Sequence, residues 1–281
     1  MVAKVCLVTG ASSGIGHATA LGLLHAGHTV YGAARRVEKM SAIRAAGGHI
    51  SPVDVTEEAD LQRVVSTVLA EQGRIDVLVN NAGAGLYGAA EDVPIERARD
   101  LFEINLFGVA RLTQLVLPHM REHGSGTIIN VSSIAGVIAL PLGCWYHASK
   151  HALEAYSDTL RREVGRFGIR VVVVQPGLVK TEFQRETARQ LREFSGDGAY
   201  QDLAEAMIIQ SEKAFGETSK ASDPAVVART ITRAVESARP KTRYAVGYLA
   251  KPVVLLSKLM PSRAFDALTA RSSGRRDSVR P

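Results

Sequence analysis

The feature that most restricts the fold is the run at residues 3–9, Ala-Lys-Val-Cys-Leu-Val-Thr, followed at once by Gly-Ala-Ser-Ser-Gly-Ile-Gly16 and an apolar helical pattern through Ala26. The run is Val/Leu-rich and alternates little, as a strand buried on both faces does. Strand, glycine-rich turn and helix in this order bring backbone N–H groups and a helix N-terminus to one point, where a pyrophosphate can bind. Gly10, Gly14 and Gly16 are spaced Gly-x3-Gly-x-Gly, not as the commoner Gly-x-Gly-x-x-Gly. Taken alone, the same glycines also fit a tight βα turn with no ligand.

Strand and helix go on alternating. A second strand over residues 28–34 ends at Ala34 and runs into Arg35 and Arg36. An acid at this point accepts hydrogen bonds from a ribose 2′-hydroxyl, whereas a guanidinium fork suits a 2′-phosphate. The cofactor expected is therefore NADP(H), with Arg35, first after the strand, as the contact. The alternative is that both arginines open a solvated helix, one of them paired with Glu38. A short helix to Ala46, a strand over 49–53 ending in Asp54 and Val55, and a helix capped by Thr56 and running to Gln72 come next. A strand over 76–80 runs into Asn81, Ala82 and Gly83, a small polar edge suited to a ligand or to a plain turn. Helical pattern over 94–122 contains Asn105 in the apolar setting Phe-Glu-Ile-Asn-Leu-Phe, where an amide needs partners.

The apolar strand 126–132 ends in the serine pair Ser132 and Ser133, and Tyr146-His-Ala-Ser-Lys150 follows. Tyrosine and lysine four residues apart share one helix face, so the ammonium can lie near the phenol. A free phenol has a pKa of about 10. A fixed cation beside it lowers that value toward the range of efficient general acid–base work. One Tyr-x3-Lys is weak by itself and gains weight only from context. The helix from Tyr146 to Phe167 is followed by a strand over 168–175 that stops at Pro176 and Gly177, with Thr181 just beyond.

At 281 residues, with 46% hydrophobic and 22% charged residues, the chain suffices for one large α/β domain, and no linker marks a second before the tail. One domain over residues 1–270 is expected. No stretch reaches about 18 uninterrupted apolar residues, and no basic, cleavable leader precedes the first strand, so neither a membrane span nor a signal peptide is expected. Cys6 and Cys144 make no disulfide framework, consistent with a cytoplasmic setting. The net charge of +6 gathers in the tail at Arg271, Arg275, Arg276 and Arg280, without any nucleic-acid reader motif. No nucleic-acid partner and no metal site are read from it.

The segment from Thr9 to Gly16, Asn80 to Gly83, Ser133, Tyr146, Lys150 and Pro176-Gly177, in this order and with strand–helix alternation, resembles the short-chain dehydrogenase/reductase family over residues 3–182. The resemblance implies a doubly wound parallel sheet of about seven strands, a Rossmann fold, with helices on both faces and the cofactor across the strand C-terminal ends. It implies that Gly10, Ser12, Ser13, Gly14, Ile15 and Gly16 form the phosphate turn and that Asp54 and Val55 flank the adenine. Asn81, with Ala82 and Gly83, would lie near the adenosine ribose. Pro176, Gly177, Val179 and Thr181 would line the nicotinamide, Val179 and Thr181 on its carboxamide side. Asn105, Ser133, Tyr146 and Lys150 map onto the family's catalytic tetrad. Asn105 would fix a water leading from Lys150 to solvent, and Lys150 would also hold the nicotinamide ribose. The thirteen-residue spacing to Tyr146 selects Ser133 over Ser132.

The expected activity is NADP(H)-dependent interconversion of a carbonyl and an alcohol. A catalytically silent NADP-binding regulator on the same fold is the alternative. Leu86, Tyr87, residues 135–142, Cys144 and Phe183 suggest an apolar ketone, aldehyde or alcohol, although some of these are equally core residues. Residues 184–221 read as a mobile lid. Residues 223–270, opened by an Asp223-Pro224 cap, resemble the extension of hydroxysteroid- and retinol-type members. That extension either packs on its own domain or docks on a second subunit or a membrane surface. A homo-oligomer, dimer or tetramer, is expected, and disorder from Arg271 on.

Overall fold

A computed structural model describes residues 2–215 and 219–272. Seven strands form one all-parallel sheet: β1 (Val5–Thr9), β2 (Thr29–Ala34), β3 (His49–Pro52), β4 (Val77–Asn80), β5 (Gly126–Val131), β6 (Ile169–Pro176) and β7 (Arg243–Val246). Their order is β3-β2-β1-β4-β5-β6-β7. The chain leaves β1 to one side for β2 and to the other for β4, and such a switch point opens a crevice at the carboxyl ends of the strands. This is the doubly wound fold expected. β1, β4 and β5 are buried at every residue, which explains their unbroken apolar runs.

Helices cover both faces. On one, α1 (Gly14–His25), α2 (Ser41–Ala45) and, further along, the helix Pro224–Glu236 place Leu23, Ile43, Val227 and Ile231 on Val8, Val30 and Val174. On the other, α3 (Glu58–Gln72), α4 (Ile95–Phe102), α5 (Gly108–Glu122) and α6 (Cys144–Val164) follow in chain order, with Val64, Leu112, Val116 and Leu160 against Leu7, Leu78 and Ile128. α4 and α5 are joined by a π-type turn, Glu103–Phe107. The continuous helix over residues 95–122 is long and apolar enough by composition to cross a membrane, but Leu101, Val109, Leu112, Val116 and Met120 are buried in the protein.

Residues 183–215 fold as α7 (Phe183–Ser195) and α8 (Gln201–Phe215), packed on each other. Asp223 caps α9 (Pro224–Glu236), accepting a hydrogen bond from Ala225 N at 2.8 Å. The described residues end with α10 (Ala250–Leu259) and α11 (Ser262–Ser272).

One expectation is corrected. Thr56 does not cap α3: the N-cap is Glu57, and the Thr56 hydroxyl donates instead to Asp54 Oδ1 at 2.8 Å. Of the extension, α9 packs on the sheet, β7 joins it, and α10 contacts β7, its Ala250 buried while Leu255, Leu256 and Leu259 are 58%, 38% and 71% exposed. The expected tail disorder falls, for residues 273–281, outside the described residues.

Candidate active site

The glycine-rich turn is held by side chains of neighbouring strand ends. Thr9 Oγ1 accepts from Asn81 N and Ala82 N, each at 3.0 Å, and Asn81 Nδ2 donates to Thr9 O at 3.0 Å. Asn81, expected beside a ribose, therefore clamps the turn with its amide. A Cβ on Gly16 would lie 2.3 Å from both Asn81 Nδ2 and Gly10 O, so only glycine lets α1 start this close to the turn. Ser13 is the N-cap of α1 yet makes no side-chain capping bond. The orphan N–H groups and the positive dipole end of the helix are thus left for a ligand. Gly14 lies against Thr181, whose methyl would be 3.0 Å from a Cβ there, so Thr181 meets the phosphate turn.

The two arginines after β2 diverge. Arg35, its side chain 72% exposed, lies 3.7 Å from Asp54 Oδ2. Arg36 donates to Ser13 Oγ at 3.2 Å and pairs with Glu182 at 2.9 Å. Arg36 pairs with Glu182 and not with Glu38, the partner that the solvated-helix alternative names. An anionic dinucleotide with a 2′-phosphate fits this donor set: free helix-terminal N–H groups, two guanidiniums and a turn too close for side chains. Val55 O lies where a Cβ on Gly108 would be, 2.4 Å from it, which fixes the β3 end against α5.

At the ends of β4, β5 and β6 a second group of polar residues converges. Ser133 is partly exposed; its hydroxyl accepts from Ala135 N at 3.1 Å and hydrogen-bonds the Tyr146 phenol, lowering its pKa. Ser132 is buried with its hydroxyl unpartnered and does not share that direction. Successive strand-end residues face opposite ways, so the choice of Ser133 has its structural reason. Lys150 is buried and donates from Nζ to Val131 O at 3.1 Å. Gly83 passes between Lys150 and Asn105: a Cβ there would be 3.5 Å from Lys150 Nζ and 3.2 Å from Asn105 Oδ1.

The expected acidification of Tyr146 is not what this structure has. Burial pushes the phenol up to about 12, only partly offset by Ser133. The phenol lies among aromatic rings, with the Tyr87 and Phe183 centroids 5.5 and 5.2 Å away. Burial also lowers Lys150 to about 8, opposed by the negative charge of Glu154. The side chain of Asn105 is fully engaged: Oδ1 accepts from Ala84 N at 2.9 Å, while Nδ2 donates to Ala84 O and Ser149 Oγ, each at 3.0 Å. It anchors the loop after β4 to α6.

Several residues of the site escaped the sequence reading. Glu154, one turn beyond Lys150, accepts from Gln175 Nε2 and Arg243 Nε, each at 3.0 Å. Its four-residue spacing after Lys150 was a usable signal. His147 Nδ1 donates to Ile138 O at 2.8 Å, pinning the loop after β5, and burial holds the ring's pKa down. Gln190 of α7 accepts from Tyr87 N at 3.1 Å and donates to Gly85 O at 3.2 Å, and Ser195 accepts from Ala89 N at 2.8 Å. About a hundred residues separate each of these pairs, so no local pattern points to them. Leu86, Tyr87, Ala135 and Phe183 gather in one apolar cluster with Tyr146, whereas Cys144 is exposed. Leu142 packs further out with Leu191, in the left-handed region at φ 57°. Val179 bridges to Ser222, and Gly177 lies under the Tyr248 carbonyl.

The family model described as short chain dehydrogenase matches residues 4–192. The chain is 37% identical to a 3-ketodihydrosphingosine reductase of Bacteroides thetaiotaomicron, covering 92% of this chain and 93% of that one. It is 34% identical to an NADPH-dependent 3-dehydrocapnine reductase of Ornithobacterium rhinotracheale, over 94% and 95%. The crystal structure of a short-chain dehydrogenase from Streptomyces avermitilis superposes with a TM-score of 0.75 at 34% identity, over 97% and 98% of the two chains.

Proposed function

Because this chain belongs to the short chain dehydrogenase family, a family of oxidoreductases, we propose that it is an NADPH-dependent reductase of a ketone carried on an apolar body. The observation that supports the reading best is the hydrogen bond between Ser133 and Tyr146 beneath the apolar side chains of Leu86, Tyr87 and Phe183, with Lys150 one turn further along the same helix.

In the proposed reaction Ser133 and Tyr146 hold the carbonyl oxygen by hydrogen bonds, and the aromatic wall excludes water from it. The bound nicotinamide supplies the hydride to the carbonyl carbon. Tyr146 gives its proton to the oxygen as the C=O π bond becomes an alkoxide, leaving alcohol and phenolate. Lys150, one turn further along α6, would then give a proton from its ammonium to the phenolate and take one back from solvent. With a phenol held near 12, Tyr146 enters as the protonated acid, which suits reduction. Asn105, which ties the loop after β4 to α6, would fix the water that leads from Lys150 to solvent. The turn residues Gly10 to Gly16, together with Asp54, Val55, Asn81 to Gly83, Pro176, Gly177, Val179 and Thr181, would carry the dinucleotide. Arg35 would select its phosphorylated form.

Residues 1–270 are read as one domain, with α7 and α8 as the cover of the pocket. Gln190 and Ser195 tie α7 to the loop after β4, so opening would have to break those bonds. A cytoplasmic setting suits the free thiols Cys6 and Cys144. The silent-regulator alternative has nothing in its favour, since tyrosine and lysine are both in place. The test follows NADPH absorbance with 3-ketodihydrosphingosine and with simple aliphatic, aromatic and steroidal ketones. NADPH-dependent turnover of at least one apolar ketone is the expected result, and none with any of them overturns the reading.

A further inference from the structure

We infer that α10 and α11 form a docking surface for an anionic lipid bilayer, placed beside the mouth of the site. Leu255 and Leu259 stand one helical turn apart on α10 with Leu256 next to them, all exposed, and Leu268 of α11 is 48% exposed. Single exposed leucines are ordinary, but three on one short helix make an unpartnered apolar stripe. Lys251 and Lys258 are exposed on the flank of that stripe, Arg263 follows, and α10 contains no acid. A basic helix with an apolar stripe lies in a bilayer interface, its lysines reaching up to lipid phosphates while the leucines enter the acyl boundary.

The charge decides between a bilayer and a second copy of the chain. In a twofold contact the patch meets itself, so Lys251, Lys258 and Arg263 would face their own copies with no carboxylate on α10 and only Asp266 of α11 to neutralise them. An anionic surface removes that repulsion. Position supports the same occupant. Tyr248 and Ala250, where α10 begins, lie directly over Gly177, and α10 packs against the turn Ile134–Gly136 that follows Ser133. A bilayer held on this face would put its interface next to the pocket, where an apolar ketone can leave the lipid without crossing water. That last step rests on the proposed function; the docking does not.

The experiment is co-sedimentation of the full chain with vesicles of phosphatidylcholine alone and of phosphatidylcholine with an equal part of phosphatidylglycerol. The anionic vesicles should bind the protein in a salt-sensitive way and the neutral ones much less. Replacing Leu255, Leu256 and Leu259 together by serine should weaken partitioning by about tenfold or more. The replacements Lys251→Glu and Lys258→Glu should each weaken it about fivefold or more. These variants should keep the wild-type melting temperature and the turnover of a water-soluble ketone. No binding by the wild type, or binding indifferent to the leucines, overturns the inference. So does a fall in native mass of the leucine variant by light scattering, which would assign the face to a second copy. Loss of binding on deleting residues 273–281 alone would move the contact to the basic tail, with the same result. Vesicle binding without turnover of any ketone would leave the docking surface standing and remove the proposed function.

Discussion

Glu154 lies one helical turn beyond Lys150 on α6, buried with it, and its charge keeps the lysine's pKa above the level that burial alone would impose. The carboxylate is fixed by Gln175 on β6 and Arg243 on β7, so the last two strands of the sheet reach the lysine through it. Lys150 at about 8 is cationic below that pH and neutral above it. Ketone reduction needs the cation, so kcat/KM should be level up to about 8 and decline beyond. In Glu154→Gln the declining limb moves to lower pH, because the charge that raised the pKa is gone. Gln retains the shape for Gln175, and Lys150→Arg, whose cation does not titrate, should lose the limb altogether. A limb unmoved in Glu154→Gln would show that the two groups are uncoupled. For stability the sign is opposite: between about 8 and 10.5 the unfolded lysine binds more proton than the folded one, so Lys150 contributes stability that rises with pH in that window.

Tyr146→Phe removes the only proton the proposed reaction delivers to the carbonyl oxygen. Turnover should fall by about 10²-fold or more. NADPH binding, measured by fluorescence titration, should hold within about threefold, because the ring still packs on Phe183 and Tyr87. Near-normal turnover would falsify the acid role of the phenol.

Arg35→Ala should weaken NADPH by about 10- to 100-fold, the worth of one charge-assisted hydrogen bond to a phosphate, and leave NADH almost unchanged. Arg36 also contacts Ser13 and Glu182, so Arg36→Ala should weaken both cofactors to a smaller extent. Equal losses for NADPH and NADH in Arg35→Ala would make that arginine structural.

Gly85→Ala tests the aromatic wall. A Cβ at Gly85 would meet the Phe183 ring at 2.6 Å, and the ring, as the far end of a side chain, is what must yield. Overpacking of this kind costs about 1 kcal/mol. The expected outcome is a several-fold change in KM for the ketone with an unchanged Kd for NADPH. A change in NADPH affinity alone would show that the ring does not border the ketone's place.

Most of the frame could be read from the chain because its causes are local. Strands buried on both faces need apolar runs, and such runs sit where β1 and β6 lie. The turn after β1 needs glycine where backbone meets backbone, and Gly16 is visible as a letter. Tyr146 and Lys150 share a face by helical arithmetic alone. The opposite pointing of Ser132 and Ser133 follows from the period of a strand. By contrast Gln190 holding Tyr87, and Ser195 holding Ala89, join residues that only folding makes neighbours.

The amino-acid order by itself determined which residues stand at the carboxyl ends of the strands, since periodicity and turn chemistry act over a few residues. Tertiary structure alone decided their electrostatics and their company. The phenol of Tyr146 rises instead of falling because burial among the rings of the distant Tyr87 and Phe183 desolvates it, and Lys150 keeps its charge by a carboxylate that β6 and β7 hold in place. The order of residues left open whether the leucines of α10 pack on their own domain, and only the tertiary structure decided that Leu255, Leu256 and Leu259 stand exposed among the described residues.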